Sequence, residues 1–333
     1  MTNENAAFIQ SQIALLKQTM LTLLAPGEDY ALIDFPDHGN VGDSAIWLGE
    51  IEVLQATQGR PPRYVCDCGQ YDPAALRQAH PDGPILIHGG GNLGDLWLRH
   101  QNLRERLIRD FPDRRIIQLP QSIFFKSDER ARQFWSLARQ HGDVHVLARD
   151  RRSFEQAEAE LGRQCGMSPD SAFGIGPIEA HTRPRAPVFC LIRQDAEQSG
   201  FDFSSVLNRP GVMAADWLEE PATYLRLVKV GSALRSVTVG RQGAQRVRLA
   251  KYQRLAETRV NRGLRLLEQG QHVLTDRLHA HILSVLLGKP HLVLDNNYGK
   301  IHGYMAAWTR AAPTARPVGS VEEALVAIRA WGV

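Results

Sequence analysis

VLTDRLHAHILSVLLGKPHLVLDNNYGKIHGY, residues 273–304, holds a strand, a helix and a second strand in one short stretch. The apolar run HVLT ends at Thr275, and Asp276, Arg277 and His279 then open a segment whose apolar residues recur at helical spacing. Gly288-Lys289-Pro290 stops that helix, and HLVLD at 291–295 is the next apolar run. Two such runs joined by a helix read as parallel neighbours of one sheet, because a hairpin would need only a short turn. Their carboxyl ends carry Asp276, Arg277 and His279 in one case, and Asp295, Asn296 and Lys300 in the other. In parallel sheets those ends are where ligands bind.

The same alternation extends toward the N-terminus. ALIDF at 31–35, RYVC near Cys66, PILIH ending at His88, RIIQL ending at Leu119 and VHVLA ending at Ala148 are apolar runs separated by helical patterns at about 44–54, 96–109 and 129–139. A second series starts with PVFCLI at 187–192 and continues through a strand near Val237 and a long helix at about 249–267. Between the two lies GIGPIEAHTRPRAP, 174–187, whose prolines and glycines suit a linker. The expectation is an α/β protein of two domains, 1–178 and 187–333, facing each other across a cleft. Phe8, Ile9, Ile13, Leu16, Met20 and Leu24 mark an initial amphipathic packing helix, without the basic start and unbroken apolar centre of a signal peptide.

Composition sets the class. A chain of 333 residues with 43% hydrophobic and 23% charged residues is globular, neither disordered nor fibrous, and no apolar run reaches the roughly 20 residues of a membrane-crossing helix. Cys66, Cys68, Cys165 and Cys190 include one close pair and no second pair to complete a zinc set, so reduced thiols, a cytoplasmic location and no bound metal are expected. Net charge is only +3, yet 226–265 contains 11 basic residues against Glu257 alone. That excess reads either as a solvated helix face or as a surface for anionic lipid; the absence of regular aromatic interleaving argues against nucleic acid.

One polar motif occurs twice, Gly39-Asn40-Val41-Gly42-Asp43 and Gly91-Asn92-Leu93-Gly94-Asp95, each after an apolar run and before a helical pattern. Two matched loops at one sheet edge would line one crevice. Around Gly90 the second copy also spells G-x-G-x-x-G, but the next strand lacks the acid that holds a ribose, so a polar acceptor site made of Asn40, Asp43, Asn92 and Asp95 is the preferred reading over a dinucleotide. Pro120 is expected to turn the chain after RIIQL and present Gln121 and Ser122 at the same edge, while Arg149 and Asp150 read equally as functional groups or as a helix start. His281 and His302 lack a third ligand at coherent spacing and read as structural.

Taken together, DHGNVGDSAIWLG, LIHGGGNLGDLW, QLPQSI, LARD, TDRLHAHILSVLLGKPH and LDNNYGK resemble the polysaccharide pyruvyl transferase family from about Ala31 to Tyr304. The resemblance implies two Rossmann-like domains similar to the GT-B glycosyltransferase fold. It also implies transfer of a pyruvyl group from phosphoenolpyruvate, without a cofactor, to a sugar of a lipid-linked polysaccharide precursor at the cytoplasmic face of the membrane. It makes His279 the expected catalytic histidine with Arg277 beside it, and brings in Arg193 and Lys300 as donor contacts. The residue inventory agrees, since a donor bearing phosphate and carboxylate calls for convergent cations. Asp276 would orient the imidazole or cap the helix, and Asp43 or Asp95 would serve as base for the sugar hydroxyl. A sugar-nucleotide glycosyltransferase is the alternative.

Overall fold

The computed structural model describes residues 1–193, 201–217, 241–295 and 299–332. The first sheet contains β1 (Ala31–Ile33), β2 (Tyr64–Cys66), β3 (Ile85–Ile87), β4 (Gly90–Gly94), β5 (Ile116–Phe124), β6 (Val144–Ala148) and β7 (Cys165–Met167). Their order is β2-β1-β3-β5-β6-β7, with β4 paired to β5 off this path. The second contains β8 (Ala186–Leu191), β9 (Val212–Ala214), β10 (Gly270–Thr275), β11 (His291–Val293) and β12 (Ala315–Pro317), in the order β12-β11-β10-β8-β9. Every pairing among the described residues is parallel. The strands of the 273–304 segment fall into register as expected, Val273 opposite His291 and Thr275 opposite Val293.

In each sheet the strand order reverses beside its first strand, between β1 and β3 and between β8 and β10. The chain therefore leaves these neighbouring strands toward opposite faces and opens a crevice at their carboxyl ends.

Two local expectations are corrected. Pro120 does not end its strand: β5 runs through it to Phe124, with a register shift against β6 between Gln118 and Gln121 where the ladder lacks the proline N–H. The second glycine motif is not a loop opening a helix but strand β4. Gly94 sits at φ 127° and packs so tightly that a β-carbon would lie 1.8 Å from the Phe124 carbonyl oxygen, and the following helix begins only at Leu98. The dinucleotide fingerprint thus lacks its strand-to-helix turn. The first motif does open a helix, Val41–Gln58, with Asn40 as N-cap accepting the Gly42 N–H.

A single buried apolar cluster includes Leu32, Leu86 and Ile117 of the first sheet together with Phe189, Leu191 and Val273 of the second. The helices Val41–Gln58 and Arg241–Leu267 contribute Trp47, Leu54, Tyr252 and Leu264 to it. The initial helix, Asn3–Leu23, buries Ile9, Leu16 and Met20 in the same cluster, and its Asn5 Nδ2 donates to the Val285 carbonyl at 2.8 Å. Part of the basic excess is anchoring: Arg259 donates to the Pro36 carbonyl, Arg262 to those of Gly39 and Trp217, and Arg248 to that of Val65. Residues 226–240 of that segment lie outside the described residues. No helix among the described residues is long and apolar enough to cross a membrane.

Candidate active site

Between the carboxyl ends of the two sheets lies a cavity of about 560 Å³. The first half lines it with His38, Asn40, Asp43, Gly91, Asn92, Trp97, His100, Ser122 and Arg149. The second half contributes Arg193, Trp217, Arg277, Leu278, His279, Ile301 and Tyr304. Three arginines and three histidines face a single carboxylate, Asp43, among the described lining residues. The cavity therefore favours an anion.

His279 stands at its centre. It lies in the first turn of helix Leu278–Leu286, 12% exposed, with Nε2 3.3 Å from Asp170 Oδ2 and 3.5 Å from Arg149 NH1. On the other side its ring rests on the first turn of the Val41–Gln58 helix. A β-carbon at Gly42 would come within 2.3 Å of Nδ1, so two helix N-termini approach this closely only because residue 42 is glycine. Asp170 holds the network together. Its Oδ2 accepts from Arg149 NH1 at 2.5 Å, its Oδ1 accepts the Ala172 N–H at 2.9 Å, and its own N–H donates to the Tyr304 hydroxyl at 3.1 Å. Burial alone would push the Asp170 carboxyl up, but His279, Arg149 and the Ala172 N–H hold it well below the usual carboxylate range. It is a fixed anion beside the imidazole.

Asp43 is the anion on the opposite side. Asn40 Nδ2 donates to its Oδ2 at 2.9 Å, and His38 Nε2 lies 3.6 Å away. Burial pushes its pKa up, yet His38, His279, His88 and Arg149 more than offset this and lower it. The cations have separate anchors. Arg149 Nε donates to Ser122 Oγ at 2.9 Å; Arg277 is nearly buried, its NH2 2.9 and 3.0 Å from the two Asp216 oxygens; and the Arg193 side chain faces the cavity.

Several expected site residues do structural work instead. Both Asp95 oxygens accept backbone N–H groups, of Lys126 and Ser127, and fix the start of helix Asp128–His141, so this carboxylate is spent outside the cavity. Asp150 caps helix Arg151–Leu161 through the Ser153 N–H and accepts from Ser122 Oγ. Asp276 is fully buried and accepts the Arg193 N–H at 2.8 Å, clasping β8 to β10, and burial raises its pKa despite that bond and the nearby arginines. Gln121 is buried behind Asn92, donating to its Oδ1 at 2.5 Å, so only Asn92 reaches the cavity. Gly90 lies behind the wall, where a β-carbon would be 3.4 Å from Asp43 Oδ1, while Gly91 lines the cavity. Asn296 and the Lys300 side chain fall outside the described residues. His281 is structural, bonded to His291 and Thr309 at 2.8 Å.

Sequence reading missed Asp170, Tyr304, Trp217, His38, His100 and the exposed Trp97. The signal for Asp170 was slight: one carboxylate in SPDS just past β7, indistinguishable along the chain from the turn cap it also is.

The sequence profile of polysaccharide pyruvyl transferases matches residues 40–298. The chain belongs to the polysaccharide pyruvyl transferase family. Pyruvyl transferase 1 of Schizosaccharomyces pombe is 31% identical over 355 residues, spanning 98% of this chain and 83% of that protein. Putative pyruvyl transferase EpsO of Bacillus subtilis is 26% identical, spanning 89% and 90%. A functionally uncharacterized protein from Klebsiella pneumoniae has a solved structure similar in fold, with a TM-score of 0.55 at 16% identity over 96% of this chain and all of that one. Membership in a pyruvyl transferase family makes the chain a transferase, and the cationic cavity around His279 is the natural place to seek its chemistry.

Proposed function

We propose that this pyruvyl transferase takes its pyruvyl group from phosphoenolpyruvate and closes it as a ketal on two hydroxyls of a sugar in a lipid-linked polysaccharide precursor. The observation that carries the reading is the placement of His279 between two anions, Asp170 and Asp43, at a cavity whose lining also includes Arg149, Arg193 and Arg277. Arg193 and Arg277 suit the donor phosphate and carboxylate, since planar guanidinium groups engage paired oxygens.

His279, protonated, delivers its proton to the methylene carbon of phosphoenolpyruvate, and positive character develops at the adjacent carbon. A sugar hydroxyl attacks there and gives its proton to Asp43. The C–O bond to phosphate then breaks, the phosphate leaving with the proton held by Asp43, and the second hydroxyl attacks the same carbon and gives its proton to the now neutral His279 as the ketal closes. Phosphoenolpyruvate and a diol thus yield the ketal and inorganic phosphate. Imidazole chemistry suits this exchange of protons, and the Asp170 carboxylate 3.3 Å from Nε2 faces the imidazolium form that starts the cycle. The half of the cavity bearing Asn40, Asn92, Trp97 and His100 receives the acceptor.

The two sheets opening on one cavity support a GT-B-like division of labour, donor on the second half and acceptor on the first. A lipid-linked acceptor places the enzyme at the cytoplasmic face of a membrane. Exposed Arg246, Arg254 and Arg265 on the Arg241–Leu267 helix would attract anionic lipid there. Replacing these three with glutamine should weaken salt-sensitive vesicle association without slowing turnover on a soluble acceptor; unchanged association removes the membrane contact.

The test of the reaction incubates purified protein with phosphoenolpyruvate and lipid-linked acceptor, following phosphate release and the mass gain of one pyruvyl ketal. Transfer from nucleotide sugars alone would instead establish the glycosyltransferase reading, and binding without turnover a noncatalytic subunit.

A further inference from the structure

Behind the first-half wall of the cavity, where His100 lines it, three side chains of different chemistry converge. Asp34 directly follows β1, Cys68 lies just past β2, and His100 is in the first turn of helix Leu98–Asp110. His100 Nδ1 is 2.9 Å from both Asp34 carboxylate oxygens and 3.6 Å from Cys68 Sγ. One oxygen, one nitrogen and one sulfur therefore lie within 4.8 Å of one another.

The backbone holds this arrangement. Asp34 has φ 77°, the one positive value at a non-glycine among the described residues, and its N–H is tied to the Cys66 carbonyl at 2.8 Å. Its carboxylate is fully buried, and among the described residues no arginine or lysine lies within ion-pair distance of it. A buried carboxylate needs a cation or several hydrogen-bond donors; the buried Arg104 guanidinium acts on it from beyond contact distance, and the groups that touch it are a ring nitrogen and a thiol, both metal ligands.

We propose that Asp34, Cys68 and His100 form a site for one borderline divalent transition-metal ion, with Zn²⁺ the natural occupant. The spacing supports this. Tetrahedral zinc with bonds of about 2.05 Å to nitrogen and about 2.3 Å to sulfur separates the two ligand atoms by about 3.6 Å, the distance found between Cys68 and His100. The nitrogen-to-oxygen separation would open from 2.9 to about 3.3 Å as the hydrogen bond gives way to two metal bonds. A mixed O, N, S set suits zinc over calcium or magnesium, which prefer oxygen alone. Thiolate and carboxylate together balance the charge of the ion. Three protein ligands leave a fourth position for water or substrate, and His100, one of the three, is a wall of the cavity, edge-on to His38 at 6.5 Å. The ion would thus sit beside the proposed acceptor half.

The readout needs no substrate, so it stands or falls independently of pyruvyl transfer. Intact protein stripped with a chelator and dialysed is titrated with Co²⁺ and, in competition with a chromophoric chelator, with Zn²⁺. One equivalent of Co²⁺ should produce a sulfur-to-cobalt charge-transfer band in the near ultraviolet and the visible bands of a tetrahedral site. C68S should abolish the charge-transfer band, and H100Q should weaken Zn²⁺ binding by about a hundredfold or more, given that losing even a supporting partner of a ligand costs roughly 10–100-fold. C165S, whose thiol faces the Phe154 carbonyl, should change neither. Circular dichroism establishes that each variant is folded, and H100Q on an outer helix serves if C68S is not. No saturable Co²⁺ uptake by the parent protein, a charge-transfer band that survives in C68S, or Zn²⁺ affinity unaltered by H100Q would overturn the proposal.

Discussion

Replacing Gly42 with alanine would test the packing that holds His279. In an ordinary helix interior this change favours folding by up to about 1 kcal/mol. Here the new methyl would lie 2.3 Å from His279 Nδ1, 2.6 Å from Cγ and 2.9 Å from Cβ. The last of these is next to the backbone, so turning the ring alone does not relieve the clash. Restoring ordinary contact requires a movement of about 1 Å, by rotation of His279 out of the cavity or separation of the two helix starts. Overpacking of this kind costs roughly 1–3 kcal/mol, leaving a net loss of about 0–2 kcal/mol after the helix gain. The same movement breaks the 3.3 Å approach to Asp170 and the 3.5 Å approach to Arg149. A misplacement of about 1 Å in a reacting group costs about a hundredfold in rate, or about 2.7 kcal/mol in the barrier. The expected result is a folded protein with kcat for phosphate release down about a hundredfold and only slightly lower stability to urea. G303A, where a β-carbon meets nothing within 4 Å, is the matched control and should stay within a few-fold of the parent. A G42A variant with unchanged kcat would refute the argument that this glycine positions the histidine.

His279→Gln, which keeps polar contacts but cannot exchange a proton near neutral pH, should lower kcat about a hundredfold or more at saturating substrates; near-normal turnover removes His279 as the acid. Asp170→Asn should lower kcat similarly, changing donor affinity far less, and should destabilise the fold by roughly 3 kcal/mol because Arg149 loses its buried partner; kinetics and urea titration read both, and a variant altered only in stability shows a purely structural aspartate. Arg277→Lys keeps the charge but loses the planar fork, so the donor KM should rise about tenfold; an unaltered donor dependence relocates the anion site. Trp97, 57% exposed at the cavity wall, should act on the acceptor alone: Trp97→Ala raises acceptor KM about tenfold at near-constant kcat, and equal effects on both substrates would contradict this. Burial lowers His88, but the Glu50 carboxylate 2.7 Å away outweighs it and raises the pKa above 6.5. That contribution is full below pH 6.5 and is lost as pH rises through the raised value, so thermal stability should fall as pH climbs above 6.5. Glu50→Gln should remove that fall, and a parent protein with flat stability from pH 6.5 to 9 would exclude the charged pair.

Most strands and helices around the site, β4 and the extension of β5 past Pro120 excepted, were legible along the chain because their signals are local: apolar period, glycine and proline stops, and caps such as Asn40. The polar endings of β1, β8 and β10 were legible for the same reason, as was His279 through the motif that carries it. Asp170 was not, because its meaning rests on a histidine 109 positions away, and along the chain it is one more aspartate opening a turn. Nor could spacing join Asp34, Cys68 and His100, which come from three separate elements that meet only when β2, β1 and the Leu98–Asp110 helix pack together. Chain order also overvalued Asp95 and Asp276. Each stands at a strand end where a functional carboxylate belongs, but backbone N–H groups there take up both Asp95 oxygens and Asp276 Oδ1. Local chemistry thus determined which elements form and which residues stand at their ends. Which of those ends face one another depends on strand order and on the close approach of two helix starts at Gly42, and no local pattern encodes that, because it follows from burying one continuous core beneath both sheets.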